Sequence, residues 1–408
     1  MKLIKIVAIV ILLFFACTAL AQRVNFNQGS INQRHYYQTV SYQEVKGLLL
    51  IPVTINGKTY NFLFDTGAVF AISDKLFQEL NPPVIGQGEV SGSSGEKKEM
   101  RYFLLPKLCL QGITFINTPG VVFHEDAGLF ECLGIDGIIG SNMLRKSVVH
   151  IDVQSKHIII TNSFRKLSLE KSTFQKMELS STQCSPFIKV VLQKGEKKAS
   201  HKVLFDSGQN NFFNMSMNVY KWLTSRTDIV NKIAESEGSF SSGIHGLYPK
   251  QNHLLLNIPS FVVNTMTFND LIIPTTHDSN SRIGAKLFQY GKTTLDYKKK
   301  RFYFSPFDNV NTHNLSERPW AISLTIENDK RVVGIIWEKT LESQINLGDE
   351  ALSINGIDIQ SMNYCDLYLL EIDNLASGGK YLLDIRDIIT GEIKQIAIKR
   401  LELVEQSE

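Results

Sequence analysis

Two aspartates stand in matching company, 141 residues apart. Asp65 lies in "NFLFDTGA" and Asp206 in "HKVLFDSGQ", each after an apolar run ending Leu-Phe and before a small hydroxyl residue and a glycine. A carboxylate at the end of so dry a strand is costly unless something holds it. Asp-Thr-Gly is also not a favoured two-residue hairpin turn, which would read Asn-Gly or Asp-Gly. If the two carboxylates met, they would not both stay ionised, because like charges raise one pKa and the pair holds one proton between them. Such a pair can activate water: the ionised oxygen takes a proton from the water as it attacks a carbonyl, and the protonated partner donates to the carbonyl oxygen. That chemistry is amide hydrolysis without metal or covalent intermediate. Gly67 and Gly208 allow a backbone shape that side chains disfavour and leave amides free to face the carboxylates. Thr66 and Ser207 supply short hydroxyls that can bond to the opposite turn.

The elements that must position these residues recur in the same order. "GLLLIPVTINGKTYNFLFDTG" places two apolar strands around an Asn56-Gly57 turn, and "SPFIKVVLQKGEKKASHKVLFDSG" repeats strand, glycine turn, strand. A short helix is expected from Ser73 ("SDKLFQEL") and from Ser216 ("SMNVYKWL"), each serine able to cap. Gly-Ser stretches follow at Gly88–Gly95 and Gly238–Gly243, then "DGIIGSNML" and "SRIGAKLF". Twelve residues separate Gly140 from Asp152 and Gly284 from Asp296. Asp152 and Asp296, in phase as they are, sit at strand turns and read as turn structure. The period is far longer than that of solenoid repeats and implies two copies of one β-rich unit.

The pattern resembles that of pepsin-like and retropepsin-like aspartic proteases, over roughly residues 45–305. "FDTGA" and "DGIIG" match the family's catalytic loop and its apolar-apolar-Gly motif, here Ile138, Ile139 and Gly140 and, in the second copy, Ile283 and Gly284. The resemblance implies a mainly β fold of two lobes related by a pseudo-twofold axis. It implies Asp65 and Asp206 as the catalytic pair, supported by Thr66, Gly67, Ala68, Ser207 and Gly208. The Gly-Ser stretches match the position of the flap that closes on substrate; no tyrosine is assigned to it, Tyr102 and Tyr248 being only nearby. No cofactor and no metal is implied, the substrate is a peptide or protein, and a monomer suffices because one chain carries both lobes. The alternative is a peptide-binding or scaffold protein on the same fold, with hydrolysis lost.

The second copy departs from the pattern at two positions. Gln209 stands where alanine or serine is usual, and Arg282 where Ile138 stands in the first copy. A buried Arg282 must be paired. A bond from the Gln209 side chain toward its own loop is expected to favour the charged form of Asp206, and Arg282 beneath the loop to act in the same direction.

A third unit follows. "NLGDEALSINGIDI" resembles the PDZ-domain signature over roughly Ala321–Lys399, which implies a small α/β PDZ-like domain able to take a peptide or C-terminal tail. The fusion is a layout of bacterial secreted members of the protease family. The expected boundaries are 22–163 and 184–306 for the lobes, 164–183 and 307–319 for linkers, and 320–402 for the PDZ-like domain, expected to fold separately. Before the first lobe, Lys2 and Lys5, the apolar run Ile6–Ala16 and the small residues Ala19 and Ala21 read as a signal peptide over 1–21. An exported protein, periplasmic, cell-surface or secreted, is therefore expected, with a lipid anchor at Cys17 as the alternative.

Composition excludes other classes. The net charge of +3 falls to +1 without Lys2 and Lys5, which gives no electrostatic reason for nucleic acid or an anionic membrane as partner. No segment after the leader is apolar enough to cross a membrane. "YGKTT" lacks the earlier glycine of a phosphate loop, the histidines lack metal-ligand spacing, and no GxSxG elbow is present. Cys109, Cys132, Cys184 and Cys365 read as buried free thiols, with a Cys109–Cys132 bridge as the alternative.

Overall fold

The computed structural model describes residues 24–402 apart from 125–127, 168, 170–172 and 241. The leader expected at 1–21, with Cys17, lies outside the described residues. The protein is mainly β. Labels below are given to the elements that build or flank the site.

In the first half, β1 (Leu48–Ile55) and β2 (Lys58–Asp65) form a hairpin. Its Asn56-Gly57 turn has positive φ at both residues, the twist that matches paired strands. β3 (Ala71–Ser73) leads into α1 (Asp74–Leu80), where Ser73 Oγ accepts from the Leu76 amide at 3.1 Å and caps the helix. β4 (Val84–Ser91) and β5 (Lys97–Leu110) form a long hairpin, followed by β6 (Ile113–Phe123), α2 (Leu129–Cys132) and β7 (Gly137–Gly140). β7 threads between β2, parallel, and β3, antiparallel, in a register that sets Ile138 beside Leu63 and Gly140 beside Asp65.

After β8 (Val148–Asp152) and β9 (His157–Thr161), the second half repeats the plan. β10 (Pro186–Lys194) and β11 (Lys197–Phe205) form the hairpin; β12 (Phe213–Ser216), α3 (Met217–Thr224), β13 (Asn231–Gly238), β14 (Gln251–Val263), β15 (Met266–Thr276) and β16 (Arg282–Ile283) follow. β16 lies parallel to β11 and antiparallel to β12, with Arg282 beside Leu204 and Ile283 beside Phe205. Arg282 therefore occupies the place of Ile138. Ser216 differs from its counterpart: its hydroxyl donates to the Asp278 carbonyl at 2.7 Å instead of capping α3.

The halves are fused beneath the aspartates. β17 (Gly291–Asp296) and β18 (Arg301–Pro306) form a hairpin, and β17 pairs with β8 in one six-stranded sheet. Asp152 and Asp296 accept backbone amides three residues on, from Ser155 and Lys299, at the turns of its hairpins. A single apolar core runs through both halves and includes Phe64 and Phe205.

The C-terminal unit has β19 (Ile322–Glu327), β20 (Lys330–Ile336), β21 (Glu350–Ile354), α4 (Tyr364–Leu369), β22 (Lys380–Arg386) and β23 (Ile393–Lys399). Its sheet runs β19-β20-β21-β22-β23, and Asn363 caps α4 by accepting from Asp366 at 2.9 Å. It is not set apart from the rest. Leu255 of β14 is part of its apolar core, and Thr312–Asn314, inside the stretch expected as a linker, pairs with β15. The cysteine reading is also corrected: Cys132 at the end of α2 is joined to Cys365 in α4, while Cys109 and Cys184 are free. The partners are 233 residues apart, so no local spacing could have matched them.

Candidate active site

Phe62, Leu63 and Phe64 are buried, so β2 delivers Asp65 from a dry, rigid base to the boundary between the halves; Val203, Leu204 and Phe205 do the same for Asp206. The two turns then exchange hydrogen bonds. The Thr66 amide donates to Ser207 Oγ at 3.0 Å and its hydroxyl donates to the Phe205 carbonyl at 2.7 Å. Reciprocally, the Ser207 amide donates to Thr66 Oγ1 at 3.1 Å and its hydroxyl donates to the Phe64 carbonyl at 2.8 Å. Thr66 and Ser207 are both fully buried. Four satisfied bonds across a dry interface fix the relative position of the aspartates.

Each carboxylate lies over the opposite glycine. A Cβ on Gly67 would stand 2.5 Å from the Asp206 carboxylate carbon, and one on Gly208 would stand 2.3 Å from that of Asp65. One oxygen of each carboxylate is held by its own turn. Asp65 Oδ1 accepts from the amides of Gly67 at 2.8 Å and Ala68 at 3.0 Å, and Asp206 Oδ1 accepts from Gly208 at 3.0 Å. Burial pushes the Asp65 carboxyl well up from its ordinary value, and the charge of Asp206 and a hydrogen bond to it push the same way. Arg282 and the Gly67 amide oppose this only in part.

The apolar-apolar-Gly residues lie beneath these turns. Ile138, Ile139 and Ile283 are buried. Gly140 abuts the backbone of Val69 and Phe70, and Gly284 abuts the carbonyls of Gln209 and Asn211, so a side chain at either would displace the turn that carries the aspartate. Arg282 is paired, as its burial requires: one guanidinium nitrogen meets Asp206 Oδ2, and Nε donates to Asp278 Oδ2 at 2.5 Å. Gln209 bonds within its own loop, as expected, but not to Asp206. Its side-chain amide turns to Asn211 Oδ1, so Arg282 alone of the two departures reaches the Asp206 carboxylate.

Several supporting residues escaped the sequence reading. Ser141 Oγ donates to the Thr66 carbonyl at 2.6 Å and meets the Tyr297 hydroxyl at 2.9 Å. The Gly67 carbonyl accepts from Gln183 Nε2 at 2.9 Å and Ser185 Oγ at 3.1 Å, so the chain between the halves closes onto the first turn. Asp278 had a readable signal: an acid four residues before an arginine that needed a partner.

The cleft is covered. The tip of the β4–β5 hairpin meets the segment between β13 and β14: Ser93 Oγ meets the Tyr248 hydroxyl, and His245 Nε2 donates to the Val90 carbonyl at 3.1 Å. That segment continues onto the C-terminal unit, where the Ser239 amide donates to the Gly334 carbonyl at 3.0 Å. Tyr248 lines the cavity, whereas Tyr102 packs edge-on against Phe26 under β4. Beneath the cover lies a cavity of about 820 Å³, walled by all three parts of the chain, among them Asp65, Asp206, Ser93, Tyr248, Trp320 and Tyr368. Its volume is in the range of a site for a small molecule or several peptide residues. Among the described residues no group of three or more His, Cys, Asp or Glu side chains is placed to hold a metal ion. None of the described helices is long and apolar enough to cross a membrane.

Residues 51–143 match the family model for Aspartyl protease. The matched segment runs from β1 past β7, and holds Asp65, Thr66, Gly67 and the Ile138–Gly140 motif. Asp206 lies outside it and enters the site through the repeated topology of the second half. A search of curated proteins returns no match.

Proposed function

We propose that the protein is an exported, single-chain aspartic endopeptidase of bilobal architecture, with Asp65 and Asp206 sharing one proton over a water. The observation that carries this reading is the seating of each carboxylate on the opposite glycine, locked by the Thr66–Ser207 exchange. Asp206 accepts a proton from the water as its oxygen bonds to the scissile carbonyl carbon, and Asp65 gives its proton to the carbonyl oxygen. In the collapse of the neutral diol, one hydroxyl returns a proton to Asp65 as the carbonyl re-forms. The C–N bond breaks and the leaving nitrogen takes the proton from Asp206. No cofactor enters these steps. The cover over the cleft is the flap of this reading, and the C-terminal unit is its PDZ-like domain, which adds a wall to the substrate cavity.

One observation favours a second reading, a binding protein with hydrolysis lost: the second carboxylate oxygen of Asp206 is taken by Arg282. The two are separated by incubating purified protein with an unfolded polypeptide across acid to neutral pH. Cleavage abolished by Asp65→Asn and by a statine-type transition-state mimic supports the peptidase. Binding of the same polypeptide with no cleavage at any pH supports the second reading.

A further inference from the structure

The two halves differ most, chemically, at one matched pair of positions. Ile138 beside Leu63 is buried and neutral; Arg282 beside Leu204 is half-buried and cationic. Burial alone would favour loss of the guanidinium's proton, but the carboxylates of Asp206 and Asp278 outweigh it and hold the group charged beyond its ordinary value. The side chain is about 15% exposed, and Asp206 and Asp278 are about 5% and 6% exposed, so this is a dry triad in which solvent screens little. The charged groups arranged about Asp206 are Asp65 from the end of β2, Arg282 from β16 and Asp278 from the β15–β16 loop; the Tyr248 phenol from the cover lies close enough to feel all three of its neighbours Asp206, Arg282 and Asp278. Among the described residues no cation meets Asp65 directly; its carboxylate accepts from the amides of Gly67 and Ala68 and shares a hydrogen bond with Asp206.

We propose that Arg282, anchored by Asp278, is a positioning residue that assigns the proton of the aspartate pair: it fixes Asp206 as the ionised member and leaves the proton on Asp65. The inference rests on the paired-aspartate reading of the site. A symmetric pair can place its proton on either carboxyl; here one partner bonds a fixed cation through Oδ2 and the other does not. A cation at contact stabilises the singly ionised pair more than the doubly protonated one, so the first ionisation moves to lower pH. Asp206 is thereby committed as the base toward water and Asp65 as the acid toward the carbonyl, and the acidic limb of activity extends further down. Asp278 has the task of holding the guanidinium at Oδ2 of Asp206.

The test is a carbon-detected NMR titration of full-length protein labelled in its aspartate carboxyls, with the two resonances assigned by Asp65→Asn and Asp206→Asn. The wild type should keep its last shared proton at Asp65, whose resonance carries the raised transition. Arg282→Gln should raise the first ionisation of the aspartate pair by roughly one to three pH units, and Arg282→Lys should restore most of the shift. If Arg282→Gln leaves Asp278 too exposed to charge for folding, Arg282→Gln with Asp278→Asn keeps a neutral hydrogen-bonded pair and should show the same rise. A first ionisation of the pair unmoved in any folded variant, or a wild type whose shared proton sits on Asp206, overturns the proposal. Because the readout is not cleavage, a wild type that titrates as stated yet cleaves nothing removes the peptidase reading and leaves the role of Arg282 standing.

Discussion

Gly208 supports the carboxylate of Asp65 from the opposite half of the molecule, with room for a hydrogen and nothing larger. A Cβ there would lie 2.3 Å from the carboxylate carbon, and the reciprocal contact of Gly67 with Asp206 is 2.5 Å. Gly208→Ala must therefore push Asp65 away from its partner. The expected outcome is a fold retained at a cost of about 1–3 kcal/mol with cleavage of an unfolded substrate lost. A melting curve and an activity assay on the same preparation check both parts, and an active Gly208→Ala would refute the facing arrangement.

The crossed hydroxyl bonds predict a stability effect separable from chemistry. Thr66→Val removes the hydroxyl that serves the Phe205 carbonyl and the Ser207 amide, leaving two buried groups without partners. A loss of about 1–3 kcal/mol is expected per group left bare, whereas Thr66→Ser should be near neutral. Denaturant unfolding of the two variants decides between this and a merely packing role, for which serine would be the more damaging change.

Asp65 makes stability depend on pH in a direction opposite to that of most carboxylates. Its folded pKa is raised by burial and by Asp206, so the folded state holds the proton where the unfolded state has lost it. The contribution is complete below the ordinary aspartate value of about 3.9 and is lost as pH rises toward the raised value. Asp65→Asn should accordingly melt above wild type near neutral pH, with the difference closing near about pH 4. Equal melting temperatures at both pH values would contradict the raised pKa.

The Cys132–Cys365 bridge predicts that the C-terminal unit is held against the first half covalently as well as by packing. Peptide mapping without reductant should recover the two cysteines in one cross-linked fragment. Replacing both by serine should cost about 2–5 kcal/mol and speed amide exchange in α2 and α4, the elements it joins. Fragments that separate without reduction would show that the bridge does not form.

How much of this was legible beforehand follows from the range over which each signal acts. Asp65, Thr66 and Gly67, and their counterparts Asp206, Ser207 and Gly208, were readable because a duplicated chain repeats its local pattern in phase. The hairpin at Asn56-Gly57 and the Ser73 cap were readable because turns and caps are settled within a few residues. Ser216 failed the same test because a tertiary acceptor, the Asp278 carbonyl, took its hydroxyl. That Arg282 needed an anion was dictated by the sequence, since a buried cation demands one; that the anion is Asp206 itself was decided by the β11–β16 register. The Gln209 amide could have turned to the aspartate or to Asn211, and only packing chose Asn211. The joining of Cys132 to Cys365, and the C-terminal unit as a wall of the cleft, lay beyond sequence reading because they depend on how separately patterned segments dock, and side-chain periodicity carries no record of which distant surface it will meet.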